Sequence, residues 1–346
     1  VVGDQIFTDI LGANRSKLAS ILVRFIRLDN EKSIGKRRYL EYAILECWKH
    51  NRKYYRRIGD IHIEGADKNM KKKKEKKLFC EICPLTYEIS KSKEICKRHI
   101  QDLTGKEKFS TLKQKEKLPN VVFSYSSTLI KKGKGIDPVL QKNKARNIRL
   151  ASAKINGLII RPGETFSFWK TVGKTTKRRG YRDGRIIIGD KLMPGLGGGL
   201  CNLGNTIHLL VLHSPLTVTE FHSHSDALAP DHGKRVPFSS GTSVSYNYID
   251  YRFKNNTDQN VQLLLWCEKG KLCGELRSEK EFSHYYEIIE ENHHFHQEKE
   301  KFFRISQIYR NVIDRSTGKI TDKELIRDNH SEVMYDYDQI PPELIR

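Results

Sequence analysis

The stretch LGGGLCNLGNTIHLLVLHS, Leu196 to Ser214, sets three glycines and a thiol ahead of an apolar run. Leu203, Ile207, Leu210 and Val211 recur at helical spacing up to His213, and Pro215 ends the run. Cys201 is therefore expected at a helix N-terminus. Amides there lack intrahelical partners, and the helix dipole favours negative charge. A thiolate gains from both, so its pKa can fall below the free value of ~8.5. Gly197, Gly198 and Gly199 carry no Cβ, so their backbone can approach a substrate and aim N–H groups at a developing oxyanion.

A cysteine nucleophile needs a base to take its proton and return it to a leaving amine. His222 and His224 fall on one face of the alternating stretch LTVTEFHSHS, together with Glu220. Either histidine could serve, oriented by Glu220 or Asp226. His208 lies two helical turns beyond Cys201, roughly 10 Å along the same helix, too far for direct proton transfer, and His213 is more remote. The residues alone leave three readings of His222 and His224: a catalytic base, a surface pair on an edge strand, or two metal ligands joined by His232.

Cys80, Cys83, Cys96 and His99 have the spacing C-x2-C-x12-C-x2-H, which could supply four zinc ligands. Against this, PLTYEISKSKEICKRHIQDL reads as a helix with Leu85, Ile89, Ile95 and Ile100 on an apolar face. A rise of ~1.5 Å per residue would hold the two ligand pairs apart. Seven cysteines, an odd number, argue for reduced thiols rather than a disulfide framework.

Elements must hold these residues in place. KARNIRLASAKINGLII reads as a helix, a turn at Asn156-Gly157 and a short strand. RPGETFSFWKTVG reads as a Pro-Gly turn and an alternating strand, with Thr165 and Ser167 opposite Phe166 and Phe168. GRIIIGD is a further strand. The run from Gly241 to Ser278 reads as two or three antiparallel strands, joined at Asn256–Asp258 and Lys269-Gly270. The tail opens polar and closes with a hairpin turning at Ser316–Gly318. The fold class expected is α+β: a helical N-terminal section followed by an antiparallel β-rich domain.

The chain has 346 residues, 37% of them hydrophobic, and a formal net charge of +21. That charge fits either a solvated basic surface or a polyanionic partner: nucleic acid, an anionic membrane face or a bacterial wall polymer. Nucleic acid ranks last, since only the lysine run and the cysteine cluster support it. No apolar run approaches the ~20 residues that span a bilayer, and the N-terminus does not read as a signal peptide. A cytoplasmic location is expected on that basis, with wall association left open. The sequence starts at Val1, and Met70 followed by a lysine run reads as an ordinary start, so a boundary is expected near residue 69. The expected divisions are 1–69, a basic and mostly helical 70–142, 143–280, and a β-hairpin extension 281–346.

Two resemblances add to this reading. GDQIFTDILGAN, from Gly3, resembles the C-terminal end of YqeG-type haloacid-dehalogenase phosphatases. The resemblance implies that Asp4 and Asp9 are vestigial Mg²⁺ ligands. The nucleophilic aspartate of such enzymes belongs to an earlier strand, so this segment is expected to be an inactive remnant.

The run from Lys144 to Asn256 resembles the VanW family of bacterial proteins. The matching pieces are NIRLASAKINGLIIRPGETFSFWKTVG, RRGYRDG, GLGGGLCNLGNTIHLLVLHSPL, TEFHSHS and IDYRFKNNTD, in family order. The resemblance implies a part in vancomycin resistance and peptidoglycan modification, and for some members an L,D-transpeptidase acting through the cysteine of the glycine motif. Cys201 would then be the nucleophile, His224 or His222 the proton shuttle, and the glycine loop with Asn202 the oxyanion and substrate contact. The partner is a peptidoglycan stem peptide or precursor, and no cofactor is implied. Two departures from the family pattern keep a second reading open. Asn202 stands where glutamine is usual, and Gly241-Thr242-Ser243 stand where many members carry an aspartate. That second reading is a non-catalytic module gripping an anionic wall precursor through Arg252.

Overall fold

The computed structural model describes residues 2–3, 11, 15–16, 21–22, 78–130, 137–188, 191–225, 227–228, 230–231, 235–238 and 241–346. Asp4, Asp9, Asp226 and His232 lie outside the described residues, so the Mg²⁺ reading and two of the partner assignments have no geometry to meet. The chain divides into two units, Val1–Cys96 and Lys97–Arg346.

In the first unit, β1 (Val2–Gly3) and β2 (Ile21–Leu22) pair in parallel. Cys83 then leads into helix α1 (Pro84–Thr104), the helix expected around the cysteine cluster. Thr86 caps its start: its hydroxyl accepts from the Cys83 amide at 3.0 Å and donates to the Cys83 carbonyl at 2.8 Å.

The second unit opens with the end of α1, then β3 (Lys108–Phe109) and β4 (Asn120–Thr128). β4 is a nine-residue strand in a stretch read as mostly helical. Its residues alternate between more and less exposed positions, and it lies along β12 as an edge strand. Helix α2 (Pro138–Ile155) is fixed at its start by Asp137, whose carboxylate accepts from the Val139 and Leu140 amides, and by proline in its first turn. The turn after it needs Gly157, at φ +82°, where a Cβ would meet the Gln114 carbonyl oxygen at 2.6 Å. β5 (Leu158–Ile160) and β6 (Glu164–Ser167) follow.

The strand expected through Phe168 stops at Ser167, which caps the short helix α3 (Phe168–Val172) by accepting from the Lys170 amide at 3.2 Å. β7 (Asp183–Ile188) and β8 (Lys191–Leu196) form a hairpin that runs into the glycines and α4 (Leu200–Leu212). Then come β9 (Thr217–Glu220), β10 (Arg252–Lys254), β11 (Val261–Glu268) and β12 (Lys271–Ser278). The polar tail is β13 (His284–Glu298), β14 (Lys301–Asp314) and β15 (Ile320–Glu332), a three-stranded antiparallel meander where only its last hairpin was expected.

The architecture is α+β. One sheet has the order β3-β6-β10-β9 and a second β4-β12-β11-β5. The connection at Asn256–Asp258 thus passes from one sheet to the other and is not a hairpin, whereas Lys269-Gly270 does turn β11 into β12. Between these elements lies one apolar core. It joins Ile148, Ala151 and Ile155 of α2, Leu203, Ile207 and Leu210 of α4, Phe166 and Phe253 of the first sheet, and Leu263, Leu265 and Leu276 of the second. Burying the inner faces of α2 and α4 in one core fixes where α4 starts, and so where Cys201 stands.

Candidate functional site

Cys201 is the second residue of α4, and Gly199 is the N-cap, at φ +96°. The loop before it is held by packing that only glycine allows. A Cβ on Gly198 would lie 2.3 Å from the Gly184 carbonyl carbon, so here two backbones touch. Asn147, fully buried on α2, clamps the same loop. Its amide nitrogen donates to the carbonyls of Gly198 (3.0 Å) and Arg182 (2.9 Å), and its oxygen accepts from the Arg182 amide (2.9 Å). Sequence reasoning missed Asn147, although an asparagine among the apolar positions of an amphipathic helix is a usable sign of a buried polar anchor.

Two of the three glycine amides are engaged within the loop itself. Gly197 donates to Arg182 O and Gly198 to Gly195 O, both at 3.0 Å, so these two N–H groups shape the loop. The amides that act on the Cys201 sulfur are its own and that of Val244. Asn202 turns its side-chain oxygen to the Ser127 hydroxyl at 3.4 Å.

The thiol is desolvated, and this pushes its pKa up; the two amides pull it down but do not prevail. That reverses the expectation from the helix terminus. Burial outweighs what the two amides supply.

Val244 belongs to a short extended segment, Gly241–Val244, beside α4. The Thr242 amide donates to the Asn205 side-chain oxygen at 2.8 Å. Thr242 and Val244 side chains lie against Gly204. The Ser243 amide donates to His222 O, and the His224 amide donates to Gly241 O, both at 2.8 Å. The histidine segment is thus the neighbouring strand to the one that touches the cysteine. The regular strand expected through His224 ends at Glu220, and beyond it only the Ser223–Thr242 bridge continues the pairing.

The histidine side chains turn elsewhere. His222 Nε2 lies 2.9 Å from Glu220 Oε1, and His224 Nδ1 lies 2.8 Å from Ser225 O. His208, deep in α4, stacks on Phe221 and meets the Tyr251 hydroxyl at 3.1 Å. Burial holds its pKa down to about 3, so it is a neutral core residue.

Glu220 opens a dense ionic network. Arg98 of α1 grips it bidentately at 2.5 and 2.7 Å, and the Asp250 amide donates to it at 3.1 Å. Burial opposes the Glu220 charge, but hydrogen bonds from Arg98 and His222 outweigh it and hold the pKa below the usual value. Arg252 donates to both Asp102 oxygens at 2.8 and 3.0 Å and to Asp250 at 2.7 Å. Asp250, fully buried, also accepts from the Ser167 hydroxyl at 2.5 Å and the Trp169 amide at 3.0 Å. The Arg252 guanidinium is therefore committed to carboxylates, and it does not present the free cation that the anion-gripping reading needs. A cavity of about 270 Å³ opens beside this network, its walls including Arg98, Asp102, Glu107, Phe109, Glu220 and Arg252. Arg98 and Asp102 escaped sequence reasoning because their pairings span 122 and 150 residues and leave no local pattern, whereas Asp250 sits two residues before its partner Arg252 and was simply missed.

No group of three or more His, Cys, Asp or Glu among the described residues is placed to hold a metal ion. Cys83 precedes α1 while Cys96 lies well along it, at ~1.5 Å per residue, which parts the two halves of the proposed zinc set. His99 instead meets the Asn247 side chain at 3.3 Å. The six described cysteines are free thiols. No helix among the described residues is long and apolar enough to cross a membrane.

The family model described as "VanW like protein" matches residues 143–277, a span holding the glycine loop, Cys201, both histidines, Asp250 and Arg252. The chain is 29% identical over 218 residues to the vancomycin B-type resistance protein VanW of Enterococcus faecalis, covering 63% of this chain and 79% of that protein. It is 32% identical over 120 residues to the uncharacterized protein YoaR of Bacillus subtilis, covering 35% of this chain and 38% of that one. No solved structure matches. The chain carries a VanW-family domain.

Proposed function

We propose that this chain takes part in vancomycin resistance as a cysteine acyltransferase of the L,D-transpeptidase type, acting on peptidoglycan stem peptides. The observation that carries the reading is Cys201: a thiol in the first turn of α4, behind a glycine loop and under the Val244 amide. The thiolate attacks the carbonyl of the third residue of a stem tetrapeptide. Collapse of the tetrahedral adduct expels the terminal D-alanine, whose amine takes up the proton that the thiol gave away. The amine of a second stem then attacks the thioester, forms the cross-link and releases the thiol. In this reading the Cys201 and Val244 amides favour the thiolate before attack and the oxyanion after it, and His222 or His224 carries the proton. Mass spectrometry of muropeptides incubated with the chain should show cross-linked or exchanged stems, and Cys201→Ala should show none. Unchanged muropeptides with the intact chain would refute the reading.

A second reading rests on a specific observation. The thiol is desolvated and its pKa raised, while His222 is held by Glu220. A non-catalytic accessory module, binding a wall precursor or a partner protein, would tolerate both. Alkylation separates the two readings. An active nucleophile should react at neutral pH far faster than Cys267 or Cys273, both of which burial also pushes up.

A further inference from the structure

Three successive amides of the Gly241–Val244 segment point alternately to two structures. Thr242 donates to the Asn205 side chain on α4 and Ser243 to the His222 carbonyl, while the Val244 amide favours the charged form of the Cys201 thiol. Alternation along an extended chain makes this a consequence of register. The amides of 242 and 244 must face the same way, and 243 the other. A slip by one residue would turn the Val244 amide away from the sulfur and break the bond to His222 at the same time. One side-chain contact on α4 fixes that register: Asn205 Oδ1 to the Thr242 amide, at 2.8 Å, four residues and one helical turn beyond Cys201. Asn205 is itself buried. Gly204 lets the segment lie close, since a Cβ there would meet Thr242 Cγ2 at 3.1 Å. The Thr242 hydroxyl is fully buried and makes no hydrogen bond among the described residues, so the amide of Thr242 and not its side chain ties it to the helix.

We propose that Asn205 is a positioning residue for the thiol: it holds the Gly241–Val244 segment in the register at which the Val244 amide donates to the Cys201 sulfur. The same register seats the histidine segment through Ser243, so Asn205 ties the two partners of the proposed chemistry to one strand. This rests on Cys201 being the working thiol, but its test does not require wall peptide.

The test is the pH profile of Cys201 alkylation by iodoacetamide in the full chain. An amide bonded to a sulfur favours its charged form. Asn205→Ala should therefore slow Cys201 alkylation about tenfold at neutral pH, equivalent to a thiol pKa about one unit higher. Cys267 and Cys273 should keep their rates and so report that the fold survives. A second measurement uses the unaltered chain. With valine labelled by ¹⁵N, the Val244 amide shift should follow the titration of Cys201 and lose that dependence in Cys201→Ala. An unchanged profile in folded Asn205→Ala, or a Val244 amide that stays flat while Cys201 titrates, would overturn the proposal. Should Asn205→Ala not fold, the amide titration decides alone. Failure here leaves acyl transfer standing, and failure of muropeptide turnover leaves this register claim standing.

Discussion

The surroundings of Cys201 and of Arg252 differ in kind, although one histidine segment links them. Around Cys201 burial favours the neutral thiol, and the Cys201 and Val244 amides oppose it without prevailing. Around Arg252, the charges of Asp102, Asp250, Glu220 and Arg98 neutralise one another in a largely buried network. Burial works against the Arg252 charge, yet Asp102 and Asp250 raise its pKa overall. Both regions withdraw groups from water, but only the network supplies counter-charges. The lesson is a division of labour. The network fixes His222 through Glu220, while burial on the thiol side favours the neutral thiol.

Breaking the network should have the largest effect. Asp250→Ala leaves the Ser167 hydroxyl, two amides and the Arg252 guanidinium without their acceptor. A cost of about 3–5 kcal/mol is expected, as for removing one partner of a buried ion pair, measured by denaturant unfolding. An effect within ~0.5 kcal/mol would show the network to be solvated.

On the thiol side, Gly198→Ala sets a methyl against the Gly184 backbone and should cost about 1–3 kcal/mol. Gly270→Ala is the matched comparison. It differs from Gly198 in having positive φ, +74°, and open space, so only conformational strain of about 1–2 kcal/mol is expected there. Gly198→Ala should also abolish the fast alkylation of Cys201, which Gly270→Ala should leave intact.

The core histidine and the network carboxylate both add acid sensitivity. The folded pKa of His208 is about 3, below its ordinary 6.5. Its contribution to stability is complete above pH 6.5 and falls away as pH drops toward 3. His208→Phe should flatten unfolding free energy across that window. The Glu220 pKa is also lowered, so its contribution is present above the ordinary carboxylate value and is lost as pH falls through its folded one. Glu220→Gln should remove that lower, smaller step, measured as melting temperature against pH, and leave the His208 step in place.

Local pattern was legible where packing and chain direction agree. α2, the turn at Gly157, β5 and the β11–β12 hairpin follow from helical spacing, glycine and alternation within a few residues. Three elements were hidden for physical reasons. β13 carries Glu and His on both faces, so no apolar alternation marks it. β4 follows lysine-rich chain and is an edge strand. α3 begins where Ser167 changes from strand residue to helix cap, which alternation does not foresee. At the site, the glycine–cysteine turn was readable because its chemistry is contiguous. Arg98 and Asp102 were not, since each finds its partner through the fold.

The central claim is that Cys201 accepts an acyl group. Intact-mass analysis of the chain mixed with a stem tetrapeptide tests it directly. The account predicts an adduct equal to the tetrapeptide less D-alanine, located on Cys201 by peptide mapping and absent from Cys201→Ala. A chain that stays unmodified, with no D-alanine released, would contradict it.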